Sequence, residues 1–96
     1  MKLYVKARVS AVECEAVIPP RNNKVGPLDI ATLILDCGDG DFIAATVYGK
    51  DRIAVCKEKM KAELPMDLIL SIVGKVEAGR ERTFYKNQIT VKWILS

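Results

Sequence analysis

The chain has 96 residues, half of them apolar, with 15 Lys and Arg against 12 Asp and Glu and a formal net charge of +3. That length predicts one domain, residues 1–96, with a single core, and the mild positive balance permits a polyanionic partner without requiring one. Three cysteines (Cys14, Cys37, Cys56) without C-x-x-C spacing, and no histidine, argue against a zinc site and a disulfide framework and fit a reducing cytosol.

Residues 2–12 alternate. Leu3, Val5, Ala7, Val9 and Ala11 share one face, and Tyr4, Lys6, Arg8, Ser10 and Val12 share the other, the pattern of a half-buried strand that can stay extended through Ile18. PPRNNKVGP (19–27) breaks it with a loop charged by Arg21 and Lys24. DIATLILDC (29–37) reads as a second strand with Ala31, Leu33 and Leu35 inward. GDGD (38–41) is a tight turn, and FIAATVY (42–48) is a third strand with Ile43, Ala45 and Val47 inward and Phe42, Ala44, Thr46 and Tyr48 outward.

Residues 51–63 carry the one helical signal. Asp51 is placed to cap its first turn, and Ile53, Cys56, Met60 and Leu64 fall on one stripe. Lys57, Lys59 and Lys61 read as its solvated side, and Pro65 ends it. DLILSIVGKVE (67–77) is a fourth strand with Leu68, Leu70, Ile72 and Val76 inward, and its Gly74 suggests a bend or bulge. A turn at 78–83 leads to a fifth strand, 84–95, in which Trp93 has the phase of Ile89 and Val91 and is expected in the core.

Five strands with one helix between the third and fourth predict an all-β Greek-key barrel with the order of the oligonucleotide/oligosaccharide-binding fold, the OB-fold. VKARVS (5–10), ATLILDCGDGDFIAATVYG (31–49) and LILSIVGKV (68–76) resemble the first, the second and third, and the fourth strands of single-stranded nucleic-acid-binding barrels. The likeness covers nearly the whole chain and is nearest in character to the barrel module of replication protein A and related small single-stranded DNA-binding proteins. The chain is expected to differ from the bacterial single-stranded DNA-binding protein in lacking that protein's acidic-tipped tail.

The resemblance implies a ligand path across strands two and three, closed over by two jaws at residues 13–28 and 78–84. Its expected partner is single-stranded DNA, with RNA as an alternative, in replication, recombination or repair. Such binding needs cations for phosphates and flat rings for bases. The candidates are Tyr48, Phe42 and Thr46 on strand three, and Lys6 and Arg8 on strand one. Arg21 and Lys24 lie in the first jaw; Lys75, Arg80, Arg82, Tyr85 and Lys86 lie in or flank the second.

Several of these side chains have structural alternatives. Phe42 also fits a cover over a barrel end, Tyr48 a hydroxyl-anchored packing role, and Tyr4 a rim or subunit contact. Phe84 and Tyr85 point to opposite faces, and Tyr85 is the more polar. Glu13 and Glu15 enter the first jaw, and Glu81 sits between Arg80 and Arg82.

No nucleophile elbow, phosphate-cradling loop or metal-ligand cluster is legible, so no enzymatic activity, cofactor or metal is expected. The competing reading is a protein-interaction barrel, using Val12, Ile34, Val73 and Ile94 as an apolar patch for a homodimer or a replication or repair partner. No run approaches the roughly 18 apolar residues of a membrane span, and the alternating start lacks a signal peptide's apolar region. No membrane partner is expected, and the expected location is the cytoplasm, at the nucleoid if the source is bacterial, archaeal or phage.

Overall fold

The computed structural model describes residues 1–20, 26–78 and 83–96, and the side chains of these except 75–78 and 83–86. The elements are β1 (Lys2–Ile18), β2 (Leu28–Asp36), β3 (Phe42–Tyr48), α1 (Lys50–Lys61), β4 (Pro65–Ala78) and β5 (Thr83–Ile94). The strands close into a barrel in the order β1-β2-β3-β5-β4, with β4 returning to β1. All pairs are antiparallel except β3 with β5, which meet in parallel at Thr46 and Thr90. This is the five-stranded OB-fold barrel expected from the element order, with α1 between β3 and β4. Among the described residues no helix is long and apolar enough to cross a membrane.

Alternation selects the interior. Ala31, Leu33 and Leu35 on β2, Ala45 and Val47 on β3, Met66, Leu68 and Leu70 on β4, and Val91 on β5 are buried, with Ala7 and Val9 from β1. Alanines at three of these positions fit an interior too narrow for large side chains on every strand. α1 closes one end with Ile53 and Cys56, both buried. Its apolar stripe is short: Met60 is half-buried, and Leu64, beyond the helix end, is 49% exposed. Gly49, not Asp51, occupies the N-cap, and no side chain caps the helix. Asp51 instead lies in the first turn, where its charge favours the helix dipole.

The β2–β3 turn is built by its own polar groups. Gly38 N–H donates to Asp36 Oδ1 (2.9 Å), Asp41 N–H to the Gly38 carbonyl (2.9 Å) and Cys37 N–H to the Asp41 carbonyl (2.9 Å). Gly38, Asp39 and Gly40 all have positive φ (94°, 54° and 80°), a run tolerated because two of the three lack a Cβ.

Expected side-chain placements are overturned at three sites, two of them bulges. On β1, Val9 pairs with Leu35 but Ala11 with Ile34, so Ser10 is an extra residue. Beyond it the phase inverts: Val12 packs against the core and Ala11 joins the outer face. On β5, Val91 pairs with Leu70 but Trp93 with Ile69, which makes Lys92 the extra residue. Trp93 is therefore outside and 58% exposed, while Ile94 packs inward. With Val12 and Ile94 turned in, the apolar patch they were expected to form with Ile34 and Val73 does not assemble. The third misplacement is Leu3, which has the inward phase but remains 42% exposed. At Gly74, where a bulge was expected, pairing with Asn87 is in register. A Cβ there would come within 3.3 Å of Asn87 Oδ1, a tight contact with the end of an exposed side chain.

The seam where β1, β4 and β5 meet is tied by Asp67. Tyr4 O–H donates to Asp67 Oδ1 (2.5 Å), Ser96 O–H to Oδ2 (2.7 Å), and Leu95 N–H to the Asp67 carbonyl (2.8 Å). These hydroxyls, Tyr4 first and then Ser96, hold the Asp67 carboxyl below its ordinary value, with Lys6 adding to the effect. The same bond raises the Tyr4 phenol.

Two outcomes are expected. Leu33→Ala, in a fully buried position, loses about 2–5 kcal/mol in urea unfolding. Asp67→Ala destabilises the barrel at neutral pH. Because the folded carboxyl titrates below the unfolded one, this contribution exists above the ordinary value of 3.8 and is lost as pH falls through the lower folded value. Urea midpoints of the two proteins are therefore expected to converge in acid.

Candidate nucleic-acid interface

Cross-strand register arranges the outer face of β1, β2 and β3 into rows. Arg8, Asp36 and Phe42 form the first, and Ala11, Ile34 and Ala44 the second. Glu13, Thr32 and Thr46 form the third, which continues to Thr90 on β5 and Ser71 on β4. Ala16, Ile30 and Tyr48 form the fourth. The surface has a floor of mostly small and hydroxyl side chains, with Ile34 and Glu13 among them and an aromatic at each end.

Phe42 is 57% exposed, Ala44 is exposed, and Thr46 and Tyr48 are half-buried. The six-residue separation of the rings on one strand face corresponds to about 20 Å. Phe42 faces outward at the turn end of β3 and leaves more than half of its surface open.

Charge is distributed unevenly around this floor. Arg8 is exposed at the Phe42 end, and Lys6 lies further along the same outward stripe of β1, opposite Asp67. Of the acids, Asp36 is occupied by the Gly38 amide. Glu15 is paired with Lys57 of α1 at 2.5 Å, a contact between half-exposed groups that contributes little stability but offsets a negative charge beside the floor. Glu13 stands in the third row.

No residue from Glu13 to Ile18 is buried, so the β1–β2 ribbon runs on past the core. The β4–β5 ribbon does likewise, with Val73, Gly74, Asn87 and Gln88 all exposed. These two arms account for a radius of gyration of 15.1 Å, where a compact chain of this length has about 12.5 Å. They lead to the two expected jaws. Arg21, Lys24, Arg80 and Arg82 lie outside the described residues, as do the side chains of Lys75, Tyr85 and Lys86. In backbone register, Lys75 is opposite Lys86, and Tyr85 is opposite Val76.

The structure thus brings Phe42, Thr46, Tyr48 and Arg8 onto one face, and places Lys6 on the stripe leading away from it. Ala11, Thr32, Ala44 and Thr90 belong to that face and were not singled out from sequence as contacts. They are small and carry no charge, so the available signal was the hairpin register, which pairs Thr32 with Thr46 once the turn is fixed. Two of the cysteines stand apart from it chemically. Cys56 is buried, and the Cys37 thiol is pushed up by burial and then by the Asp36 and Asp41 carboxylates, the opposite of an activated thiolate.

A groove of about 370 Å³ adjoins the fourth row, between α1 and the β1–β2 ribbon, lined by Ala16, Val17, Ile30, Ile53 and Ala54 with the Glu15–Lys57 pair across it. Comparison of the chain with protein-family models, with curated proteins and with solved structures gave no significant match.

Proposed function

We propose that this barrel binds single-stranded DNA without catalysis, along the outer face of β2 and β3. The observation that carries the reading is the pair of aromatics on β3, Phe42 and Tyr48, at the two ends of a floor whose one charged residue is Glu13, on a closed β1-β2-β3-β5-β4 barrel. A ring accepts any base by its face, which gives affinity without sequence preference. The small floor between the rings lets a strand approach the sheet, and Arg8 supplies a phosphate contact at the Phe42 end. The chain's resemblance to the replication protein A barrel module supports the same reading, as does the elongated form of the two ribbons beside the face. A role in replication, recombination or repair follows from that ligand.

A single-stranded RNA ligand uses the same chemistry, since nothing on this face is assigned to a 2′-hydroxyl. A labelled oligonucleotide titration at low salt tests the proposal, with double-stranded DNA and single-stranded RNA as competitors. Single-stranded DNA is expected to bind and to weaken steeply with added salt. Tyr48→Ala and Phe42→Ala are each expected to cost about 1–3 kcal/mol in a folded protein. Absence of binding to DNA and RNA at low salt refutes the function, and unchanged affinity in either variant removes that ring from the site.

A further inference from the structure

The outward stripe of β1 extends beyond the platform. Lys2, Tyr4, Lys6 and Arg8 are all exposed and alternate with Leu3, Val5 and Ala7. Opposite them on β4 stand Ser71, Ile69, Asp67 and Pro65, and Ile69 pairs onward with Trp93 of β5. Tyr4, Ile69 and Trp93 therefore form a row across three strands. The two aromatics are 56% and 58% exposed and, two strand spacings apart, about 10 Å from each other.

Cations surround this row. Lys6 lies on one side of Tyr4 and Lys2 on the other, and the bulge of β5 brings Lys92 beside Lys2. The like charge of Lys2 holds the Lys92 ammonium below its ordinary value. The nearest acid, Asp67, already accepts from Tyr4 and Ser96. Two lysines held together in this way favour an anion between them. At its far end the stripe reaches Arg8, in one row with Phe42 at the corner of the platform.

We propose that a bound single strand leaves the platform at Phe42, crosses Arg8 and Lys6, and stacks bases on Tyr4 and Trp93 while Lys2 and Lys92 take its phosphates. The choice of ligand rests on the function proposed above. The geometry of this second face is independent of it. Exposed rings flanked by cations suit bases alternating with phosphates. The Tyr4 ring is anchored through its hydroxyl, so little side-chain freedom is lost on stacking. A second copy of the chain is a poorer occupant, because a two-fold contact through this face sets its lysines against themselves.

Trp93 is the one tryptophan in the chain, so its emission reports on this face alone. The test is a titration of the intact protein with oligothymidylates of increasing length, read by anisotropy and by tryptophan emission. Short oligomers held on the platform leave the emission unchanged. Longer ones are expected to quench it, and salt to restore it. Trp93→Ala is expected to weaken the long oligomers about 5- to 150-fold. The Lys2→Ala/Lys92→Ala double variant is expected to lower the slope of log affinity against log salt by about 1.4.

Binding with unchanged Trp93 emission, and with both variants at wild-type affinity, overturns the second face and leaves the platform standing. Sensitivity to these variants but not to Tyr48→Ala or Phe42→Ala supports the second face and removes the platform. A dimer that Trp93→Ala dissociates, or quenching by an acidic peptide but by no oligonucleotide, assigns the face to protein and overturns the proposal. Failure to bind any oligonucleotide overturns both readings.

Discussion

Everything on the surface of this molecule depends on how β1 closes the barrel. One strand must serve two partners: residues 2–8 pair with β4 and residues 8–18 with β2, with Arg8 opposite both Pro65 and Asp36. A strand in regular pleat cannot follow so tight a curve, and bulges supply the added bend and twist. β1 has one at Ser10 and a second where Cys14 and Glu15 oppose a single residue, with Cys14 at φ 53°. β5 has its own at Lys92. Each bulge also exchanges inner and outer faces, so the same device that closes the core decides which side chains face outward.

That exchange gives the surface its character. The Ser10 bulge places Ala11 outside and Val12 inside, and so keeps the floor beside Ile34 and Ala44 low. The Lys92 bulge turns a tryptophan outward and sets a lysine next to Lys2. Phe42 and Tyr48 need no such device, because β3 is regular and its even-numbered residues all face out. The outcome is a floor between two rings with Glu13 as its one charge, joined through Arg8 and Lys6 to a second pair of rings with lysines around it. In the proposed function, stacking on these rings is the part of the affinity that tolerates any base, and the lysines and Arg8 are the part that salt weakens.

The order of elements and most of their bounds were legible because alternation is strong wherever strands are regular. β3 coincides with its expected span, 42–48, and the inward sets of β2 and β3 are those the pattern selects. The inner residues of β4 as far as Leu70 were equally plain, with Met66 added by an earlier start. The misassignments fall where periodicity is interrupted without a sequence mark. Ser10 and Lys92 are ordinary strand residues, and nothing in their chemistry announces a bulge. The glycine that did carry such a mark, Gly74, sits in an unbroken ladder. Trp93 was assigned inward by counting from Val91, and one extra residue between them reversed it. The helix stripe failed at Leu64 because the helix stops at Lys61, before the stripe is complete. Of the candidate site, the β3 residues were readable from a single strand. The Tyr4–Ile69–Trp93 row was not, because it needs the register of three strands and the position of a bulge.

The central claim is that the outer face of β2 and β3 is where a single strand lies. The most direct measurement is the change in backbone amide resonances of the isotope-labelled chain as an unstructured oligonucleotide is added. The account predicts that the largest changes cluster on Ile34, Phe42, Ala44, Thr46 and Tyr48, continuing onto the outward residues of β1, with the inner residues of α1 unaffected. Changes confined to the groove between α1 and the β1–β2 ribbon, or none at saturating oligonucleotide, would contradict it.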